Sequence, residues 1–114
     1  MYISALARTL RPGVTYPDFI DAWYPERGFG IPGRGPYSAR NIASERELLT
    51  IGFLDLSDRQ ALDVGLKRVA EQEAVRHARI DAVIESTQLR GVYEVLDEFD
   101  FSTGETVARG RPRH

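Results

Sequence analysis

Apolar and polar positions along this chain switch between a period of two and a period near 3.6, and the switches divide it into elements. From Tyr2 to Leu10, Ile3, Ala5 and Ala7 alternate with Ser4, Leu6 and Arg8, the spacing of a strand with one small apolar face and one mixed face. Arg11-Pro12-Gly13 is a turn signal. Thr15-Tyr16-Pro17-Asp18 then sets a hydroxyl, a proline and an acid at the start of a helix, close to a capping box. Tyr16, Ile20 and Trp23 fall on one helical stripe with Phe19 beside them, and Pro25 ends the helix at Tyr24, because proline disfavours the α conformation in the residue before it. Seven of the twelve residues 25–36 are Gly or Pro, which predicts a long loop of the kind used as a lid or binding loop, or else simply mobile.

The next pattern predicts a strand from Tyr37 to about Ala43, a polar turn at Ser44-Glu45-Arg46-Glu47 and a strand from Leu48 to Leu56. In the latter, Leu49, Ile51 and Phe53 share one face and Leu48, Thr50, Gly52 and Leu54 the other. Both faces are apolar enough for a central strand covered on both sides. Ser57-Asp58-Arg59-Gln60 reads as a capping box with Ser57 at the N-cap, and helical periodicity runs on to about Ser86. A straight helix of that length spans roughly 42 Å, too long for a small sheet, so a break is expected between about Ala70 and Val75. A last strand is expected from about Gln88 to Phe99, and the pattern is lost from Thr103.

The order strand, helix, strand, strand, helix, strand within about 100 residues predicts an α+β domain of the split βαβ type. It has a four-stranded antiparallel sheet and both helices on one face. The other sheet face then needs a cover, for which a second copy is the usual solution. The domain is expected to occupy residues 1–101. Residues 102–114 read as a flexible basic tail, with Arg109, Arg111 and Arg113 against Glu105. Such tails are mostly solvated, a partner-binding arm being the alternative.

Composition narrows the function classes. A chain of 114 residues is one domain, and 42% hydrophobic with 28% charged residues is ordinary for a soluble globular protein. No apolar run approaches the roughly 18 residues of a membrane span. The start Met1-Tyr2-Ile3-Ser4-Ala5 has no basic segment before the strand pattern, so no signal peptide is expected. The chain has no cysteine, which removes disulfides, thiolate catalysis and cysteine-bound metals and fits a cytoplasmic location. A net charge of −2 gives no case for nucleic-acid binding.

Gly28-Phe29-Gly30-Ile31-Pro32-Gly33 matches G-x-G-x-x-G. It follows a helix and precedes a strand, the reverse of the context that dinucleotide binding needs, so it reads as a loop requiring positive φ. Glu73 and His77 carry more chemistry. Leu62, Leu66, Val69, Glu73, His77, Ile80 and Ile84 share one helical stripe, so two ionisable groups four residues apart interrupt an apolar face. A carboxylate beside an imidazole fixes its tautomer and raises its basicity, as a general base requires. A structural polar pair and an exposed pair are the competing readings, and the choice turns on where the long helix breaks. Two such ligands do not make a metal site, and His114 lies in the tail. Trp23 and Tyr24, at the mouth of the loop, can form an aromatic wall, with Arg27 or Arg34 to meet an anion. Membership of the helix–sheet core for Trp23 and solvation of the arginines is the alternative. Arg40, Asn41, Arg90, Tyr93 and Glu94 lie on strands whose register decides which of them face a pocket.

The opening strand Tyr2-Ile3-Ser4-Ala5-Leu6-Ala7-Arg8, the central strand Leu49-Thr50-Ile51-Gly52-Phe53, the interrupted second helical region and the closing strand Gly91-Val92-Tyr93-Glu94-Val95 together resemble the dimeric α+β-barrel superfamily. Its members have a ferredoxin-like fold and include small monooxygenases of antibiotic biosynthesis and stress-responsive barrel proteins. The resemblance covers about residues 1–101. It implies a homodimer built through the sheet faces and a small-molecule pocket between each sheet and its own helices. Oxygenating members use Trp, Asn or His there, and Trp23 and His77 are of those types. The expectation is therefore a homodimer that binds an aromatic or apolar acid. Its chemistry would be cofactor-independent oxygenation or proton transfer, with His77 as base, Glu73 orienting it, and Trp23, Tyr24, Arg27 and Tyr93 holding the substrate. The alternative is a non-catalytic ligand-binding or stress-associated dimer.

Overall fold

In a computed structural model, which describes residues 1–108, the elements follow the order β1 (Tyr2–Leu10), α1 (Tyr16–Trp23), β2 (Gly33–Asn41), β3 (Ser44–Leu54), α2 (Arg59–Arg68), α3 (Ala70–Asp81) and β4 (Ile84–Glu94). The strands form one antiparallel sheet in the order β2-β3-β1-β4. This is the expected α+β, ferredoxin-like arrangement, with the second helical region divided in two. Arg109, Arg111, Arg113 and His114 lie outside the described residues. No helix among the described residues is long and apolar enough to cross a membrane.

Local chemistry explains most element boundaries. The capping box of α1 is formed: Asp18 N–H donates to Thr15 Oγ1 at 3.3 Å and Thr15 N–H to Asp18 Oδ2 at 2.9 Å, satisfying donors that a helix start leaves unpaired. The cap of α2 is Asp58, not Ser57, its carboxylate accepting from Ala61 N at 2.8 Å. Two adjacent capping side chains competed, and the one whose third following amide is Ala61 won. The long helix breaks at Val69, whose φ −99°, ψ 2° interrupts it for a single residue, just before the expected window.

Other boundaries differ from the sequence pattern: β4 ends at Glu94, short of the expected Phe99, and three more have a visible cause. The β2–β3 connection is a two-residue turn at Ile42-Ala43, with Asn41 paired to Ser44. Ser44–Glu47 therefore belongs to β3, not to a turn. Asn41 Oδ1 accepts from Ala43 N at 2.8 Å, a local side-chain turn that Asn makes readily. β2 begins at Gly33, inside the stretch read as loop. Gly33 pairs with Leu54 at φ +153°, where an added Cβ would lie 1.8 Å from the Phe53 carbonyl oxygen; only glycine permits that approach. The last helix ends at Asp81 and β4 starts at Ile84, earlier than expected, because Arg11 reaches across from the β1–α1 turn. Its guanidinium donates to the carbonyls of Ile84 at 3.1 Å and Asp81 at 3.3 Å, meeting acceptors left open at a helix end.

Leu10, Phe19, Leu48, Ile80 and Ile84 form the buried core. They come from the end of β1, the middle of α1, the start half of β3, the end of α3 and the start of β4, so the core sits at one end of the helix–sheet layer. On the opposite sheet face, strand parity places Ile3, Ala7, Leu49, Ile51, Leu89 and Tyr93 together through the pairs Ile3–Phe53, Ala5–Ile51, Ala7–Leu49, Ala7–Leu89 and Ile3–Tyr93. No helix among the described residues covers this apolar face.

The Gly33 contact makes a measurable claim. Gly33→Ala is expected to destabilise the fold by about 2 kcal/mol or more through backbone strain and the clash with Phe53. Gly28→Ala, where a Cβ meets nothing within 4 Å, should change stability by less than about 0.5 kcal/mol. Chemical denaturation of the two variants checks this, and equal effects would refute the account of β2.

Candidate functional site

Away from the core end, the space between sheet and helices is hollow, forming an open-mouthed cavity of about 800 Å³. Its floor is the helix-side face of the sheet: Ser4, Leu6 and Arg8 of β1, Thr50 and Gly52 of β3, and Arg90 of β4. Its roof is the stripe Leu66, Val69, Glu73 and His77, which stays on one side despite the break at Val69. Trp23, Phe29 and Ile31 close one side. Ile31 reaches there because Gly65 of α2 is bare: a Cβ on it would meet Ile31 at 3.2 Å. The loop after α1 is thus a wall of the cavity.

Arginine and glutamine side chains of α3 hold that wall. Gln72 accepts from Arg27 N–H and donates to the Arg27 carbonyl, both at 3.0 Å. Arg79 Nε donates to the Ala22 carbonyl at 3.1 Å and its Nη2 to that of Tyr24 at 3.1 Å. Arg76 Nε donates to the Trp23 carbonyl at 2.7 Å, while the guanidinium carbon lies 5.2 Å from the ring centroids of both Trp23 and Phe29, within cation–π range. The last turn of α1 has no basic residue of its own, so α3 supplies the cations its carbonyl end favours.

Glu73 is the electrostatic pivot. Both its oxygens accept from Arg76 Nη1, at 2.7 and 2.6 Å, and its Oε2 lies 3.2 Å from His77 Nε2. Glu73 and His77 side chains are 25% and 23% exposed, so the pair faces the cavity. Desolvation lowers the His77 pKa, with Arg90 next in effect and Arg8 and Arg76 acting the same way; Glu73 opposes them. The imidazole is therefore neutral at pH 7. A carboxylate only accepts, so a hydrogen bond closed across this 3.2 Å contact would put the proton on Nε2 and leave Nδ1 as the basic nitrogen.

Of the residues expected at a site, Glu73, His77 and Trp23 come together; Arg34 borders the cavity, but its guanidinium lies over the Phe53 ring, 4.7 Å from the centroid. Tyr24, Arg27 and Tyr93 do not line it. Tyr24 is 66% exposed beyond the end of α1, and Arg27 is held through its backbone. Tyr93 pairs with Ile3, and this register turns its ring to the uncovered sheet face. Arg90, left undecided by the sequence, has the cavity parity. Two residues were missed. Arg76 falls one position off the stripe, and its role depends on α1 carbonyls more than 50 residues away. Arg8 is a lone cation on the face of β1 that also carries the buried Leu10, a signal that parity alone could have raised. Among the described residues no group of three or more His, Asp or Glu could hold a metal ion.

No family model matches the chain, and no curated protein matches it. A solved structure from Chloroflexus aurantiacus J-10-fl, provisionally named an antibiotic biosynthesis monooxygenase, is similar with a TM-score of 0.57 at 13% identity, over 89% of this chain and 98% of that one. The likeness establishes the shared ferredoxin-like fold.

A titration tests the site's electrostatics. The His77 imidazole followed by NMR is expected to titrate below the ordinary 6.5. Arg90→Met should move the midpoint up and Glu73→Gln should move it down. Because the folded-state pKa is the lower one, the associated stability is complete above pH 6.5 and is lost as the pH falls through the folded value. A His77 midpoint above 6.5 would contradict this arrangement.

Proposed function

We propose that the protein binds a small aromatic or apolar acid in the helix–sheet cavity and catalyses cofactor-independent oxygenation or proton transfer on it. The observation that carries this reading is an imidazole 3.2 Å from a carboxylate on the wall of a large cavity with aromatic sides. In this reading His77 Nδ1 takes a proton from an acidic O–H or C–H of the substrate, with Glu73 fixing the tautomer. The positive field of Arg8 and Arg90 stabilises the resulting anion. An electron-rich phenolate or enolate formed in this way can reduce dioxygen directly, so the substrate itself supplies the electrons. The fold shared with the provisionally named monooxygenase supports an oxygenase over other proton-transfer chemistry.

A non-catalytic ligand-binding role is the second reading, favoured by one observation: Arg76 already engages both oxygens of Glu73. A carboxylate so occupied strengthens His77 as a base only weakly.

The apolar, uncovered sheet face supports a homodimer, each copy covering the other's sheet. A cytoplasmic location accords with the absence of cysteine.

Two experiments test these readings. In a thermal-shift screen of aromatic acids and quinols, a hit at a hundred times its dissociation constant should stabilise the fold by about 2.7 kcal/mol. Oxygen uptake with that hit should fall by 10²-fold or more in His77→Ala, on the order of a general base's contribution. Unchanged uptake removes His77 from the chemistry, and binding without any turnover supports the second reading. In sedimentation velocity the native chain should run as a dimer and Ile51→Lys as a monomer. A native monomer would overturn the sheet-to-sheet assembly.

A further inference from the structure

We propose that the guanidinium of Arg8 is the anchor for a carboxylate on the bound molecule. The ligand is then a monoanion that enters head first, its apolar body lying against Trp23, Phe29 and Ile31. The inference rests on the reading of the cavity as a ligand site and specifies which molecules that site accepts.

Arg8 is 4% exposed, on the cavity floor, and its Nη1 is buried with no hydrogen-bond partner among the described residues. Buried polar atoms in folded proteins are almost always paired, and an unpaired buried charge is the most unfavourable case. Three other arginines around the helix–sheet layer have hydrogen-bond partners. Arg76 takes Glu73 and the Trp23 carbonyl, Arg46 takes the Leu10 carbonyl and Glu85, and Arg79 takes the Ala22 carbonyl. Of the two nearly buried arginines, Arg76 is thus paired, while Arg8 keeps one nitrogen unpaired among the described residues, beside the floor of the cavity.

Charge around the cavity points the same way. Three arginines, Arg8, Arg76 and Arg90, line it against one carboxylate, Glu73, while the guanidinium of Arg34 lies over the Phe53 ring on the other face of the sheet. Arg76 already occupies both oxygens of that carboxylate. The chain as a whole carries −2, so positive charge is concentrated in the hollow and focused by its low-dielectric walls. Burial together with the charges of Arg76 and Arg90 lowers the Arg8 pKa to about 10, which still leaves it cationic at neutral pH. A carboxylate is the simplest group that supplies the missing acceptor, since its oxygens match a guanidinium edge. The aromatic and aliphatic side of the cavity offers the rest of such a molecule an apolar surface.

The test is a matched pair of probes, 2-naphthoate and the uncharged 2-naphthamide, titrated calorimetrically into the full chain at fixed ionic strength. A third probe, sodium formate, is followed by its effect on the unfolding midpoint. The native protein should bind 2-naphthoate at least tenfold tighter than 2-naphthamide. Arg8→Met should lose that preference through weaker naphthoate binding alone, and Arg8→Lys should keep part of it. Arg8→Met removes an unpaired charge and should fold; Arg8→Lys keeps the test open if it does not. Equal binding of the two naphthyl probes to the native protein overturns the anchor and leaves the cavity reading intact. A preference that survives in Arg8→Met also overturns it and moves the charge recognition to another arginine. If neither naphthyl probe binds, the cavity reading falls. Formate then decides the anchor alone: stabilisation abolished in Arg8→Met supports it, and no stabilisation of the native protein refutes it.

Discussion

The ion pair between Arg76 and Glu73 is the contact on which the rest of the site depends. Its guanidinium is nearly buried, with the side chain 6% exposed. Nη1 meets Glu73, Nε meets the Trp23 carbonyl, and the plane lies within reach of both Trp23 and Phe29. One side chain of α3 thus ties down the end of α1, the first part of the loop and the aromatic wall. Buried ion pairs often contribute little net stability, because desolvation offsets the attraction. Breaking one by removing a single partner is another matter, since the survivor is left charged and unpaired. The pair is better understood as specifying the wall's position than as strengthening the fold.

The position of the core explains why a hollow exists at all. A domain of this size buries roughly 65% of its unfolded-chain surface, and here the best-packed side chains gather where α1 and the end of α3 meet the sheet. Toward the other end, the sheet's helix-side face carries Ser4, Thr50 and Gly52, too small or too polar to fill the gap beneath α2 and the start of α3. On β3 the larger apolar residues Leu49, Ile51 and Phe53 have the opposite parity, and with Ile3, Ala5 and Ala7 of β1 they make the uncovered face apolar. Alternation on β1 and β3 therefore produces two features at once: a cavity on one side and an apolar surface on the other.

Much of this could be read from residue order. The alternation at Ile3, Ala5 and Ala7, the capping residues around Thr15, and the stripe from Leu62 to Ile80 are local signals, and the helix–sheet order follows from them. The stripe even survived the break at Val69, because one non-helical residue did not rotate Glu73 and His77 out of line. Features that failed to show were long-range. The early end of α3 depends on Arg11, some 70 residues away. The start of β2 depends on Gly33 accepting a close approach by Phe53, which a Gly/Pro-rich stretch disguises as loop. Tyr93 was misplaced for the simplest reason, since strand register is undefined until its partner is known and one step reverses the face. Arg27 looked like an anion ligand by residue type, yet the loop is fastened through its backbone.

The electrostatics of the cavity rest on a shortage of negative charge. Glu73 touches both Arg76 and His77, and its strongest contacts are with the former. What remains for His77 does not outweigh burial and the nearby arginines, so the imidazole stays neutral. Arg8 shares in the same shortage, with its buried nitrogen unpaired. An anion bound against Arg8 would offset part of the positive field that acts on His77. By thermodynamic reciprocity, whatever such an anion does to the proton affinity of His77, protonation of His77 does equally to the affinity for the anion. Occupancy of the floor by a carboxylate would therefore make the imidazole on the roof a stronger base. In the proposed reading, charge recognition by β1 and proton transfer from α3 would be coupled through the space between them.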